Sequence, residues 1–285
     1  MKVALLSLAM QRYKLPKIFE VAGYYGYDGV EIWGGRPQAY PYDMDDARCE
    51  EVLKLKEKWD LEVSMYTPEV LGYPYNIASP DKKERQETID YLKYSIDVAK
   101  KIETPRVQLA VGHAGYDQSR KENFDNVTYV MKELADYAEK KDIDLIIEAV
   151  TIMESNVIAF LADLVDLLDA VDSPRVKTMI DTVTPVVHWE TFTDYFEKLG
   201  DKMEYVHFIG SDGASPAHLK VTNSVIPMDS VLQVFKKYGY DGWLSSELGG
   251  AYLKDPELHF AEEIKNIRGL LDANGIPHSG RGIAK

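Results

Sequence analysis

The segment Asp144-Leu145-Ile146-Ile147-Glu148 joins a short apolar run to a terminal carboxylate. An apolar run of this length with polar residues on both sides predicts a buried strand. A carboxylate at the end of a buried strand is costly, because it loses solvation unless it gains a partner or a shifted pKa. Glu148 therefore indicates a place where the protein uses a charge.

The same construction recurs three times further along the chain. In each case a strand-like run is followed directly by a residue that can bind a metal ion. These residues are Asp181 after 176–180, His207 after 203–206 and Glu247 after 242–246.

Apolar spacing predicts eight strands, each followed by a helix. The predicted strands are Val3–Leu8, Gly29–Trp33, Glu62–Tyr66, Arg106–Ala110, the run ending at Glu148, Lys177–Asp181, Tyr205–Ile209 and Trp243–Glu247. The predicted helices are Leu15–Gly26, Asp45–Lys58, Pro80–Ile102, Glu122–Lys141, Asn156–Val171, Trp189–Leu199, Met228–Tyr238 and Pro256–Ala273.

Strict alternation of strand and helix is typical of an α/β protein with a parallel sheet, and eight pairs predict a single (β/α)8 TIM barrel. We assign residues 1–273 to the barrel domain and 274–285 to a Gly-rich, basic C-terminal tail. The alternative is a doubly wound open sheet. Such a sheet usually has a Gly-rich phosphate loop after its first strand, and residues 7–12 contain no glycine.

Composition narrows the class of protein. The net charge of -14 argues against nucleic acid as a partner, because phosphate binding needs clustered Lys and Arg. The single cysteine, Cys49, cannot form an intrachain disulfide. The apolar run at residues 1–10 lacks the features of a signal peptide, and no run has the length of a membrane span. We therefore predict a cytoplasmic protein with no membrane partner.

The four strand-end residues suggest a metal site. In a TIM barrel the C-terminal ends of the strands share one rim, where active sites lie. Three carboxylates there repel one another, and a divalent cation relieves the repulsion. One imidazole with three carboxylates suits Mn²⁺, Co²⁺ or Mg²⁺. The alternative for any single residue is a helix cap, an ion pair or a core histidine. Four such residues on successive strands favour the metal site.

These motifs resemble those of the sugar isomerase/epimerase barrels, and among them the ketose 3-epimerases. The similarity includes Glu154, six residues after Glu148, and Thr182 after Asp181. Within that family the loops are most similar to the fructoselysine 3-epimerases, and the resemblance covers the chain except for its tail. The similar loops are 32–37, 66–69, 72–76, 113–116, 154–157 and 211–215.

The resemblance implies one divalent metal ion per subunit, with Mn²⁺ first and Co²⁺, Mg²⁺, Ni²⁺ or Zn²⁺ as alternatives. The implied metal ligands are Glu148, Asp181, His207 and Glu247. Glu148 and Glu247 are also implied as the acid and base that invert C3 of a substrate through a cis-enediolate. Glu154 is implied to contact substrate hydroxyl groups near O1. The expected partner is a small sugar or sugar–amino acid, and the expected assembly is a homo-oligomer, either a dimer or a tetramer.

Aromatic and basic residues at the ends of the second, third and fourth predicted strands, or in the loops after them, predict further substrate contacts. Trp33 and Tyr66 offer flat apolar faces with polar edges, which suits a sugar. His113 and Arg36 could bind hydroxyl groups or a distal carboxylate. Ordinary packing beneath loops is the alternative for the aromatic residues. The same reasoning extends to Tyr73, Tyr75 and Tyr116.

The chain also departs from its relatives. Thr184 stands where many ketose 3-epimerases have a substrate-binding His, and Gly213 stands where they have an Arg; both changes favour the fructoselysine branch. His188 is assigned to the following helix. Segment 218–227 lacks the Pro-Gly-x-Gly turn of the relatives, so it cannot adopt the same turn with φ > 0. Gly210 replaces an acidic residue.

The leading hypothesis is an epimerase acting at C3 of a ketose or ketosamine, of the fructoselysine/psicosylysine or the tagatose/psicose type. An aldose–ketose isomerase would use the same metal, glutamates and enediol. A catalytically weak sugar-binding barrel is suggested by the changed loop after His218. Hydrolysis of abasic DNA needs several zinc ions, which six histidines and a charge of -14 disfavour.

Overall fold

Eight parallel strands close into a barrel in sequence order in the computed structural model, which describes residues 1–283. This confirms the predicted TIM barrel. The strands are β1 Lys2–Leu6, β2 Gly29–Gly34, β3 Glu62–Pro68, β4 Arg106–Ala110, β5 Asp144–Glu148, β6 Val176–Asp181, β7 Met203–His207 and β8 Trp243–Ser246.

Helices cover the outside of the barrel, and polar side chains cap several of them. Asp45, Asp81, Ser119 and Thr191 each accept a backbone N–H in the first turn of the helix that follows. The helices are α1 Leu15–Tyr25, α2 Asp46–Trp59, α3 Lys82–Lys101, α4 Arg120–Lys141, α5 Leu161–Val171, α6 Val183–Val187, α7 Phe192–Leu199, α8 Met228–Lys237 and α9 Pro256–Ala273. Within the described residues, none of these helices is long and apolar enough to cross a membrane.

A layer of side chains fills the interior of the barrel below the rim. Its members come from six strands and form a cluster separate from the main core between strands and helices. The Tyr205 hydroxyl completes the layer by hydrogen bonding to Ser64 at 2.8 Å. A filled interior leaves the rim as the place where a ligand can enter. The apolar cluster consists of Ala4, Met65, Ile146, Met179, Tyr205 and Trp243.

The helix predicted to begin at Asn156 begins at Leu161 instead. The Asp163 carboxylate accepts the backbone N–H groups of Ala159 and Phe160, which sets the start of the helix. Asn156 binds the loop after β4: it accepts from Ala114 N at 2.9 Å and donates to a backbone carbonyl at 2.7 Å. Tertiary contacts thus take this asparagine out of the helix.

The helix predicted over 189–199 begins three residues later, as α7 at Phe192, and a short helix that was not predicted, α6, precedes it. Trp189 has φ of 58°, a left-handed conformation that ends the first helix. The Thr191 side chain then caps α7. In β1 the prediction extended too far, since residues 7–10 form a 3₁₀ turn. The seventh predicted strand also extended too far, to Ile209, because β7 ends at His207.

The tail lies against the N-terminal end of the barrel. The Met1 amino group donates to the Pro277 carbonyl at 2.7 Å, and Arg281 donates to the Trp59 carbonyl at 3.1 Å. Ile276 is buried. The division into a domain over 1–273 and a tail over 274–285 stays a prediction, and positions 284 and 285 of that tail lie outside the described residues.

Candidate metal centre and adjoining cavities

Strand register brings the four predicted ligands to one level of the rim. Asp181 on β6 pairs with His207 on β7, and His207 pairs with Ser245 on β8, two residues before Glu247. Glu148 ends β5, opposite Ala110 of β4. The ligand atoms of Glu148, Asp181, His207 and Glu247 all lie within 4.8 Å of one another.

The imidazole of His207 lies among carboxylates. Its Nδ1 is 2.7 Å from Glu247 Oε2 and 3.5 Å from Glu148 Oε1, and its Nε2 is 3.1 Å from Glu31 Oε1. Burial alone would lower the pKa of His207, but the charges of Glu31, Glu247 and Glu148 outweigh it and raise that pKa well above its ordinary value. Such a site strongly favours positive charge.

Glu148 shows the cost of crowding acidic groups without a cation. Burial raises the pKa of Glu148 above its ordinary value, and the nearby charges of Glu247 and Asp181 raise it further, against a partial offset from His207. Gln108 donates its amide N–H to Glu148 Oε2 at 2.6 Å and so fixes the orientation of the carboxylate.

The donor set is well suited to a divalent cation. In the neutral ring, which is the form that binds a metal ion, donation of Nε2–H to Glu31 leaves a lone pair on Nδ1 directed toward carboxylate oxygens, which are acceptors too. Nδ1 is buried and makes no well-oriented hydrogen bond in the described chain, although an oxygen of Glu247 lies close by. A cation placed among these atoms would satisfy all of them, with one nitrogen and three carboxylates as ligands.

Glu31 is a site residue that the sequence reasoning missed. It lies on β2 with 0% of its surface exposed, and it accepts the Thr67 hydroxyl at 2.6 Å besides bonding His207. A carboxylate that accepts the second ring nitrogen of a metal-binding histidine orients the ring. The signal was available, because Val30-Glu31-Ile32 places a charge inside an apolar strand, just as Glu148 does.

His218 is a second residue that was missed. Its Nε2 lies 3.3 Å from Asp181 Oδ2, and its Nδ1 lies 3.7 Å from Glu247 Oε2. It sits eleven positions after β7, in the segment that differs from the relatives, so neither spacing nor motif pointed to it. The altered loop therefore supplies a polar side chain to the centre of the site.

The backbone conformation between β7 and His218 explains why positions 210 and 213 are glycines. Gly210 forms an antiparallel bridge with Leu219, with N···O distances of 2.7 and 2.9 Å, directly after His218. A Cβ at Gly210 would lie 2.4 Å from the Lys220 carbonyl oxygen, so an acidic side chain cannot occupy this position. Gly213, with φ of 79°, supplies the left-handed turn that permits the bridge.

Glu263 on α9 binds the backbone of this loop at Val221. Its Oε1 accepts the Val221 N–H at 2.8 Å, and burial raises its pKa to about 7. In the folded protein it keeps a proton that the unfolded chain has already released, so stability falls as pH rises from about 4.5 to 7. We expect Glu263→Gln, which keeps the acceptor but cannot ionise, to be more stable than the wild type by about 2 kcal/mol at pH 8 and nearly equal at pH 5.

Thermal melts of both proteins across this pH range test the prediction. The exposed neighbour provides the control: the pKa of Glu262 is lowered by its ion pair with Lys220, so Glu262→Gln should show no widening difference between pH 5 and 8. A constant difference between Glu263→Gln and wild type across the range would contradict the assignment.

A cavity of about 410 Å³ opens above the metal centre. It contains three of the four predicted ligands and two predicted substrate-contact residues, Trp33 and Glu154. Trp33 Nε1 donates to Glu69 Oε2 at 2.7 Å, and Glu154 Oε2 accepts the Thr151 hydroxyl at 2.8 Å. Burial raises the pKa of Glu154. The lining also includes Leu6, Leu8, Thr67, Glu69, Val70, Leu71, Gln108, Thr184 and His218.

The other predicted substrate contacts lie elsewhere. Arg36 forms a two-pronged ion pair with Asp43, at 2.6 and 2.7 Å, and does not line the cavity. Tyr66 is fully buried and donates its hydroxyl to the Ala39 carbonyl at 2.6 Å. His113 lines a neighbouring cavity.

His188 and three further tyrosines also lie outside the first cavity. His188 accepts the Ile152 N–H and packs on Phe160, away from the cavity. Tyr73 and Tyr75 line the neighbouring cavity, and Tyr116 is 87% exposed.

Comparison with known proteins identifies the family. Residues 19–270 match the Xylose isomerase-like TIM barrel family. The chain is 34% identical over 271 residues to a protein named fructoselysine 3-epimerase from Shigella flexneri, covering 95% of this chain and 98% of that one. It is 27% identical to an L-ribulose 3-epimerase from a Methylomonas species, covering 82% and 78% of the two chains.

Solved structures show the same fold. The crystal structure of a D-tagatose 3-epimerase-like protein superposes with a TM-score of 0.84 at 19% identity, over 96% of this chain and 98% of that chain. The chain therefore belongs to the xylose isomerase-like TIM barrel family and, within it, to the carbohydrate epimerases that its relatives represent.

Proposed function

We propose that this protein is a divalent-metal-dependent epimerase that inverts C3 of a ketose or ketosamine, with Mn²⁺ as its first-choice metal. The observation that carries the proposal is the approach of two carboxylates to one histidine nitrogen beneath a cavity: Glu148 ends β5, and Glu247 directly follows β8. Inverting a carbon without oxidation requires one group to remove a proton and another to return it on the opposite face.

When bound, a divalent ion would polarise the carbonyl at C2 and so make the C3 proton more acidic. One of Glu148 and Glu247 takes that proton, the flattened carbon is held between them, and the other delivers a proton to the opposite face. Gln108 keeps the Glu148 carboxylate in place through its 2.6 Å hydrogen bond.

The walls of the cavity support a sugar substrate. Trp33 and Leu8 offer apolar surface, while Glu154, Thr184 and His218 offer hydrogen-bonding groups. This mixture matches a ligand that carries hydroxyl groups on a carbon skeleton. Glu154 is the predicted contact for the hydroxyl groups at one end of the substrate, and His218 adds a polar group beside Asp181.

Proton NMR in D₂O with Mn²⁺ tests the proposal on fructoselysine, psicosylysine, tagatose, psicose and fructose. We expect deuterium at C3 together with the signals of a new epimer for at least one substrate. Label at C1 or C2 would instead identify an aldose–ketose isomerase on the same site. A complete lack of exchange with all five substrates would identify a sugar-binding barrel and contradict the proposal.

A further inference from the structure

The cavity above the metal centre is rich in hydrogen-bond acceptors and poor in available donors. Its lining includes five carboxylates, from Glu69, Glu148, Glu154, Asp181 and Glu247. Four donor side chains of the lining each donate to a carboxylate already. These pairs are Trp33 with Glu69, Thr67 with Glu31, Gln108 with Glu148 and Thr151 with Glu154. A sugar oxygen that needs a donor therefore has few to choose from among the described lining residues.

His218 is the basic side chain of this lining. Among the described lining residues there is no Lys or Arg and no second histidine. The Nε2 atom of His218 lies 3.3 Å from Asp181 Oδ2, and its Nδ1 atom lies 3.7 Å from Glu247 Oε2. Both separations exceed the roughly 2.8 Å of a strong charge-assisted hydrogen bond, so neither carboxylate holds the imidazole tightly. An imidazole carries an N–H in its neutral and in its charged form, and this one is available to a ligand.

The backbone around His218 fixes the place of its side chain. Gly249 donates its N–H to the His218 carbonyl at 3.3 Å, and Leu219 pairs with Gly210 in both directions. These bonds join the residue to the segments that follow β7 and β8. The side chain is 20% exposed, so a ligand in the cavity can reach it. A donor that is held in place before the reaction stabilises a developing charge without a cost of reorganisation.

The proposed reaction places new negative charge in this acidic cavity. When a glutamate removes the C3 proton, the electrons of the C3–H bond form a double bond between C2 and C3. The electrons of the C2 carbonyl double bond move onto its oxygen, O2, which becomes negative. A divalent ion does not neutralise three carboxylate ligands, so a further donor at O2 lowers the energy of this charge. His218 lies beside two of the predicted ligands, where the C2 carbonyl must approach the ion.

We propose that His218 is a catalytic residue that donates its N–H to O2 of the substrate and stabilises the negative charge that forms there. The proton of this N–H stays on the imidazole throughout, while the two glutamates move the C3 proton. His218 is not a metal ligand in this arrangement, since it lies outside the group of four residues whose ligand atoms are all within 4.8 Å of one another. The inference rests on the proposed function, because it takes O2 to gain charge during exchange at C3.

The test measures kcat and KM for C3 epimerisation in two variants of His218, with saturating Mn²⁺ and the sugar that the wild type epimerises fastest. His218→Phe keeps a flat ring without an N–H, and it should lower kcat by about 100-fold while KM changes by less than about threefold. His218→Gln keeps an N–H at a similar reach, and its kcat should exceed that of His218→Phe by at least about tenfold. His278→Phe, in the tail at the other end of the barrel, is the matched control and should keep the wild-type kcat and KM.

Calorimetric titration with Mn²⁺ separates this role from metal binding. Both variants of His218 should bind Mn²⁺ within about threefold of the wild-type affinity, because only loss of a ligand or of its support weakens binding by about 10- to 100-fold. A loss of Mn²⁺ affinity that accounts for the lost activity would overturn the inference. A raised KM with an unchanged kcat would do the same, and so would equal losses of kcat in the two variants.

The wild type distinguishes failure of this inference from failure of the proposed function. Exchange at C3 by the wild type together with an unchanged kcat in His218→Phe would refute the role of His218 alone. No exchange of any sugar by the wild type would refute the proposed function and this role with it.

Discussion

Glu148→Gln and Glu247→Gln should each reduce epimerisation at C3 by about 10³-fold at saturating metal. Glutamine has the size of glutamate but cannot accept or donate the proton that the reaction moves. Each carboxylate lies within 3.5 Å of His207 Nδ1, and because Glu148 ends β5 while Glu247 follows β8, neither can take over the position of the other. We expect both single variants to fail as epimerases, because inversion needs one group to remove a proton on one face and another to deliver a proton on the opposite face.

The measurement is the rate of epimer formation, followed by NMR and corrected for the occupancy of the metal. Both residues are also predicted metal ligands, so a Mn²⁺ titration of each variant must show that the assay is at saturation. Glu257→Gln, on the exposed start of α9, is the control and should retain wild-type activity. Epimerisation within about tenfold of wild type in either variant would exclude that residue as acid or base.

Removing metal should abolish exchange and lower the melting temperature, and adding Mn²⁺ back should restore both. Two carboxylates about 4 Å apart repel each other by roughly 4 kcal/mol in a medium of intermediate dielectric, and a cation relieves this repulsion. Metal at 100 times its Kd stabilises the folded state by about 2.7 kcal/mol, which for a chain of this size corresponds to a shift of about 5 °C.

Two variants separate the metal site from the rest of the cavity. Asp181→Ala should weaken Mn²⁺ binding by at least about 100-fold and remove the shift in melting temperature. Glu154→Gln lines the same cavity but lies outside the ligand cluster, so its Mn²⁺ affinity should stay near the wild-type value. Calorimetric titration measures both. An unchanged affinity in Asp181→Ala would show that the cluster does not hold the metal.

The barrel and its four rim residues could be predicted because the signals are local. Apolar periodicity marks each strand, and a strand places its last residue at the rim whatever the neighbouring loops do. Asp181 and His207 needed only to end adjacent strands in order to meet. Glu31 was predictable on the same grounds, because it is a carboxylate within the apolar β2 strand, although it was not among the predicted site residues.

The substrate contacts were harder to predict because loop conformation places them. Arg36 follows β2 and Tyr66 lies within β3, yet Asp43 binds Arg36 and the Ala39 carbonyl binds Tyr66 away from the cavity. His218 reaches the metal centre only because Gly210 pairs with Leu219. Such placement depends on contacts between segments that are distant in the sequence, and the spacing of apolar residues does not predict those contacts.

The amino-acid sequence by itself determined the parallel barrel, the rim position of Glu148, Asp181, His207 and Glu247, and the acidic character of the site, since these follow from strand period and residue type. The tertiary structure alone decided that His218 joins the site, that Glu31 orients His207, and that a second cavity with carboxylates and an imidazole adjoins the first. The physical reason is that loops acquire their shape from hydrogen bonds and packing across the whole rim rather than from their own residues.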